Sequence, residues 1–130
     1  MNGRNRAGQI VVAVGSGVLF AAAAFHVLAG HSIGFPALAA SNLNGGLQSA
    51  FRVVFLSVGW DWVLLGTIAV VAAFKAGASR RTLVLICGFG ILTEAVAGAA
   101  VMGVFIGNEM IAAAAILTII GGYMLGGGNG

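Results

Sequence analysis

The feature that most constrains this chain is a series of four long apolar runs that contain very few charged residues, at about residues 9–30, 50–74, 82–106 and 110–126. A helix of about 20 residues crosses the ~30 Å hydrocarbon core of a bilayer, and these runs are close to that length or longer. Backbone groups in lipid must bond internally, and the alternating ten-residue pattern of a membrane barrel does not occur. We therefore predict an all-α integral membrane protein, a four-transmembrane-helix bundle that forms one domain over residues 1–130.

The composition excludes several other classes of protein. Only 7% of the residues are charged and 60% are hydrophobic, whereas soluble domains are about 25% charged. The net charge of +3 does not indicate nucleic-acid binding, because the basic residues are dispersed along the chain and form no patch interleaved with aromatic side chains. We predict no nucleic-acid partner.

The basic residues also predict the orientation of the helices. Most of them precede the first run or lie between the second and third runs: Arg4, Arg6, Lys75, Arg80 and Arg81. An even number of crossings places both groups on one side, which the positive-inside rule assigns to the cytoplasm. We predict that the N and C termini are cytoplasmic and that the protein is a multi-pass protein of a bacterial inner membrane. Arg52, at the outer end of the second helix, is the exception.

The connections between the runs differ in length and polarity. Residues 31–49 are predicted to form one long outer loop, in which the apolar stretch 35–40 is compatible with a short helix at the interface. The third connection, residues 107–109, is predicted to be a tight turn. Glycine pairs four residues apart occur on the predicted third helix (Gly103 and Gly107) and fourth helix (Gly122 and Gly126). Such pairs allow helix backbones to approach closely, so we expect tight packing there.

Ionisable residues inside the apolar runs are the best candidates for function. Asp61 and Glu94 fall near mid-membrane, His26 lies about one turn from the outer end of the first helix, and Arg52 opens the second. A charge at the bilayer centre costs roughly 2.5–3.5 kcal/mol, so it needs a partner or a function. We predict a polar cluster drawn from these four residues. One interpretation is a proton-linked or ligand-binding site, and the other is a set of pairs that holds the bundle or a partner subunit together.

The geometry of a helix limits which members of this cluster can meet. Nine residues separate Arg52 from Asp61, which turns the helix by about 180°, so they cannot face the same neighbour. His26, Asp61 and Glu94 could supply three metal ligands only if their depths and faces agreed, and we predict no metal site. Trp60 and Trp62 are predicted to pack against the bundle or a lipid tail. We predict no catalytic residues and no cofactor, while bound lipid is compatible with the apolar surface.

The first half of the chain resembles a group of small bacterial four-helix integral membrane proteins that has no assigned function. The resemblance consists of a helix-one His followed by Gly, an outer-loop Pro-x-Leu, an Arg that opens helix two and Trp residues further in: His26, Gly30, Pro36, Leu38, Arg52, Trp60 and Trp62. It implies a bundle of four helices with both ends inside. It carries no catalytic role to any residue here.

Three functional interpretations follow. The first is a small structural or accessory membrane protein that assembles in the bilayer with lipids, as a homo-oligomer or in a larger membrane-protein complex. The second is a small oligomeric transporter or channel that uses the intramembrane carboxylates Asp61 and Glu94, since 130 residues are too few to enclose a pore alone. The third, which we disfavour, is a quinone- or lipid-modifying enzyme that uses His26 with a carboxylate.

Overall fold

The computed structural model describes residues 3–75 and 77–126. This part of the chain is helical, without strands: α1 (Gly3–Ala29), a π-helical turn (Gly30–Gly34), α2 (Phe35–Ala39), α3 (Gly45–Phe74), α4 (Arg80–Met102) and α5 (Ile106–Met124). The continuous helical segment Gly3–Ala39 and the helices α3, α4 and α5 are each long and apolar enough to cross a membrane. The predicted all-α architecture with four membrane-spanning helices is confirmed.

The four long helices form a closed ring in the order α1, α3, α4, α5. Among neighbouring pairs, α1 and α5 contact each other most extensively, and α3 and α4 contact each other least. Each helix contributes a large side chain to the largest buried cluster, namely Leu19, Trp62, Ile91 and Ile111. The core therefore lies along the bundle axis, and the outward faces remain apolar and exposed, as a lipid solvent requires.

The outer loop is much shorter than the sequence suggested. Helical structure continues from α1 through the π-helical turn and α2 to Ala39, and α3 begins at Gly45 rather than near residue 50. Pro36 lacks an N–H and its ring crowds the carbonyl four residues earlier, and the wide π-helical turn just before α2 gives that carbonyl room. Asn44 caps α3, because its side-chain oxygen accepts a hydrogen bond from the Leu47 N–H at 3.0 Å.

The prediction of a turn at residues 107–109 was wrong. α4 ends at Met102 and α5 begins at Ile106, so residues 107–109 belong to the first turn of α5. The connection is made at Gly103, whose φ of +80° is accessible mainly to glycine. Asn108 is buried and donates a hydrogen bond to the Gly103 carbonyl at 2.9 Å. Gly103 therefore lies in the connection and Gly107 in α5, so the two glycines form no shared packing face.

Glycine permits close contact between α1 and α5. A Cβ atom placed on Gly121 would lie 2.5 Å from Val12 Cγ2 and 2.9 Å from the Gly8 carbonyl oxygen. A Cβ on Gly15 would lie 2.9 Å from Thr118 Oγ1. Lipid tails are as apolar as side chains, so such close backbone approach provides the packing energy that holds membrane helices together.

Of the glycine pair predicted on the last helix, only Gly122 lies within α5. Gly122 faces α4, and a Cβ atom there would lie 2.9 Å from Leu85 Cδ2. Gly126 follows the end of α5, and its N–H donates a hydrogen bond to Asn5 Oδ1 at 2.7 Å. The two glycines therefore serve a helix–helix contact and a terminal contact, respectively.

Buried polar side chains fasten α1 to α3. Ser16 donates from Oγ to the Gly66 carbonyl at 3.0 Å, and Gln9 donates from Nε2 to the Ala73 carbonyl at 3.1 Å. The donors are seven residues apart on α1 and the acceptors seven residues apart on α3, so the two bonds repeat along one antiparallel contact. Interhelical hydrogen bonds of this kind contribute about 0.6 kcal/mol each on average in membranes.

Basic side chains gather where α5 ends. Arg4 Nη2 donates to the Tyr123 carbonyl at 3.3 Å, and Arg80 Nη2 donates to the Gly126 carbonyl at 3.2 Å. The Arg81 guanidinium lies 5.4 Å from the centre of the Tyr123 ring. The carbonyls at a helix C-terminus carry partial negative charge, so these cations stabilise the end of α5.

Candidate intramembrane polar site

His26 contacts α3 through both its ring face and its ring nitrogen. Its imidazole stacks on the Phe55 ring with centroids 3.7 Å apart and an angle of 11° between the planes. Its Nε2 lies 2.8 Å from the Phe55 carbonyl oxygen, and because a carbonyl only accepts, Nε2 carries the proton. Gly30 provides the space for this stack, because a Cβ atom there would lie 2.4 Å from Phe55 Cε1.

Trp62 connects His26 to Glu94. The indole is buried in the bundle and meets the His26 ring edge-on, with centroids 4.9 Å apart. Its Nε1–H donates a hydrogen bond to Glu94 Oε2 on α4 at 2.5 Å. Phe55 and Trp62 are seven residues apart and therefore share one face of α3. The result is a continuous polar and aromatic series, Phe55, His26, Trp62 and Glu94, which joins three of the four long helices.

The structure divides the predicted cluster into two parts. His26 and Glu94 are brought together, but through Trp62, which the sequence had indicated only as a packing residue. Asp61 is exposed on α3 and is not a member of this series. Arg52 is also exposed, but its guanidinium lies over the Phe35 ring of α2, 5.7 Å from the ring centre. Arg52 thus contacts α2, whereas Asp61, nine residues later, lies on the opposite side of α3.

The two tryptophans have different environments. Trp62 packs inside the bundle and also acts as a hydrogen-bond donor. Trp60 is 72% exposed and lines an apolar groove between α1 and α3. Phe55 was not singled out from the sequence, and its seven-residue spacing from Trp62 is the signal that could have identified it.

The polar series is chemically suited to holding helices together and to positioning a carboxylate. Within residues 3–75 and 77–126, no three side chains of the His, Cys, Asp and Glu types come close enough to hold a metal ion, and His26 is therefore not joined to Asp61 and Glu94 as a ligand set. No protein-family model, curated protein or solved structure matches this chain.

Proposed function

We propose that this protein is a small structural or accessory multi-pass protein of a bacterial inner membrane that assembles in the bilayer with another membrane-embedded subunit. The proposed contact is the α3–α4 seam, defined here by Asp61 and Leu65 of α3 and Gly90 and Glu94 of α4. The single observation that supports it is the position of Asp61: the bundle leaves this carboxyl group on its outer surface, within the span of α3.

The two carboxyl groups at the α3–α4 seam differ in burial and in hydrogen bonding. Glu94 is half-buried and accepts the Trp62 hydrogen bond. Asp61 makes no hydrogen bond or ion pair with any other part of residues 3–75 and 77–126. A charged carboxylate in lipid costs roughly 2.5–3.5 kcal/mol, so ionisable residues inside membranes generally meet a partner group. A hydrogen-bond donor or a cation on a neighbouring membrane helix would provide that partner.

The packing of the seam leaves room for such a helix. α3 and α4 form the least extensive of the neighbouring interfaces in the bundle. A Cβ atom on Gly90 would still be 4.0 Å from the nearest Leu65 atom, so the seam is shallow and smooth rather than filled. Small residues at such a position allow the backbone of a second helix to approach closely.

The proposal includes an orientation. We place both termini in the cytoplasm, because Arg4, Arg80 and Arg81 lie at the end of the bundle where α5 finishes. This places the α4–α5 connection and α2 on the outer side. The orientation is measured by the accessibility of single cysteines introduced at Arg6 and Asn42, in a background in which the buried Cys87 is replaced by Ala.

Assembly is tested by native mass spectrometry of the full chain extracted in mild detergent. The wild type is expected to carry a stoichiometric membrane subunit, and Asp61→Leu is expected to lose it while remaining folded, because Asp61 is exposed and makes no hydrogen bond or ion pair within residues 3–75 and 77–126. Glu109→Leu is the matched control, since it removes an acidic side chain outside the seam and should retain the subunit. Retention of the subunit by Asp61→Leu at the wild-type ratio would refute the proposal.

A transporter or channel is the second candidate, and the presence of one carboxyl group in each of two adjacent membrane-spanning helices, Asp61 in α3 and Glu94 in α4, is the observation that favours it. Carboxyl groups within a membrane can carry a proton or attract a cation. Proton flux is measured in liposomes for the wild type and for Asp61→Asn and Glu94→Gln. Flux that the wild type supports and both variants lose, with assembly intact, would favour transport over the accessory role.

A further inference from the structure

A groove opens on the outside of the bundle between α1 and α3, on the side of α3 away from Asp61. Its volume is about 640 Å³, within the ~300–1,000 Å³ range of small-molecule sites. Its lining is apolar: small residues contribute on both helices, and larger side chains border them. We call it the α1–α3 groove and define it by Ala23, Ala24 and Leu28 of α1 and Leu56, Gly59 and Trp60 of α3.

Arg52 lies on α3 about one helical turn before the groove residue Leu56, and therefore at one end of the groove. Arg52, Leu56 and Trp60 follow one another at four-residue spacing, so they share one face of α3. The Arg52 guanidinium lies 5.7 Å from the centre of the Phe35 ring. It forms no hydrogen bond or ion pair within residues 3–75 and 77–126. Its N–H groups are therefore available to an anion at the end of the groove.

His31 lies beside the same aromatic ring. Its imidazole meets the Phe35 ring edge-on with centroids 5.3 Å apart, and it is exposed. The Phe35 ring thus contacts two side chains that can donate N–H hydrogen bonds, Arg52 and His31, at the outer end of the α1–α3 groove. The Arg52 guanidinium presents several N–H donors whose geometry matches phosphate oxygens. The α1–α3 groove itself offers only apolar surface.

The dimensions match one leaflet of a bilayer. Val63, the groove residue furthest from Arg52 on α3, is eleven residues from it in the sequence. At 1.5 Å per residue the two are separated by about 16 Å along the helix, close to half of a ~30 Å hydrocarbon core. A lipid with its phosphate at Arg52 would therefore have its acyl chain alongside the whole groove.

We propose that the α1–α3 groove binds one anionic phospholipid, with an acyl chain between α1 and α3 and the headgroup phosphate on Arg52, assisted by His31. The occupant is inferred from charge complementarity and length, because the cationic Arg52 guanidinium lies at the outer end of an apolar groove that is about as long as one leaflet is thick. This site is on a different face of α3 from the α3–α4 seam, so it does not depend on the proposed assembly.

The test is native mass spectrometry of the full chain after exchange into dioleoylphosphatidylglycerol or dioleoylphosphatidylcholine. The wild type is expected to retain one phosphatidylglycerol and to prefer it to phosphatidylcholine. Arg52→Gln is expected to weaken phosphatidylglycerol retention by about fivefold or more, the effect of one basic side chain beside an anionic lipid. Arg6→Gln, which removes an exposed arginine distant from the groove, should leave retention unchanged.

A second pair of variants tests the acyl chain. Ala24→Phe fills the groove from α1 and is expected to abolish retention of either lipid, whereas Ala100→Phe adds the same bulk at an exposed position of α4 and should not. Equal retention of the two lipids by the wild type, or unchanged retention in Arg52→Gln and Ala24→Phe, would overturn the proposal. Occupation of the groove by a protein chain instead of lipid would do so as well.

Discussion

Replacing Gly121 with Ala is the sharpest test of how the bundle is held together. The added methyl group would lie 2.5 Å from Val12 Cγ2 and 2.9 Å from both the Val12 nitrogen and the Gly8 carbonyl oxygen. Two of these atoms belong to the backbone and cannot rotate away, so α1 and α5 must separate. Overpacking of this kind costs roughly 1–3 kcal/mol. Gly17→Ala is the matched control, because a Cβ atom on Gly17 would have no atom within 4 Å apart from its chain neighbours and the backbone of its own helix.

The comparison of the two variants isolates the steric cost. Both changes gain the same helix propensity, up to about 1 kcal/mol for Gly to Ala, so this gain cancels in the difference between them. Gly121→Ala is therefore expected to be roughly 1–3 kcal/mol less stable than Gly17→Ala, or about 5- to 150-fold in the unfolding equilibrium. Unfolding is followed by circular dichroism during titration of the protein in mild detergent with sodium dodecyl sulfate. Free energies of unfolding within 0.5 kcal/mol of each other would refute the close α1–α5 contact.

Three further predictions concern side-chain hydrogen bonds, each measured as a free energy of unfolding in the same titration. Trp62→Phe should destabilise the bundle by about 0.6–1.7 kcal/mol because Glu94 loses its donor, and the loss should shrink when Glu94 is already Leu. Asn108→Leu should cost about 0.5–1.5 kcal/mol because the carbonyl of Gly103 loses its side-chain donor, and an unchanged stability would contradict the role given to that turn. Ser16→Ala should cost about 0.6 kcal/mol, and a cost above about 2 kcal/mol would indicate a larger role than one interhelical bond.

The fold could be predicted from the sequence because hydropathy alone identifies helices that cross a bilayer. The ends of the helices could not be predicted as well, because the bilayer constrains length but not the position of a turn. At Gly103 the turn depends on one glycine with positive φ and on a side-chain bond from Asn108, and the apolar residues around it gave no turn signal. Near Pro36 the helix continues through a π-helical turn, where a break had been expected.

The site was only partly predictable for a different reason. The cost of burying a charge singles out His26, Arg52, Asp61 and Glu94 from the sequence, but it does not say which of them meet. The contact between His26 and Glu94 passes through the aromatic side chain of Trp62, and apolar-looking aromatics are too common in membrane helices to be distinguished by pattern.

The most direct test of the central claim is site-specific photo-crosslinking in native membranes. A photoreactive amino acid replaces Ile68, which lies seven residues after Asp61 on the same face of α3, or Ile116, an exposed residue of α5. We expect a discrete protein adduct from position 68, its loss when Asp61 is also changed to Leu, and no such adduct from position 116. Adducts with lipid alone at position 68 would contradict the claim that the α3–α4 seam faces another membrane subunit.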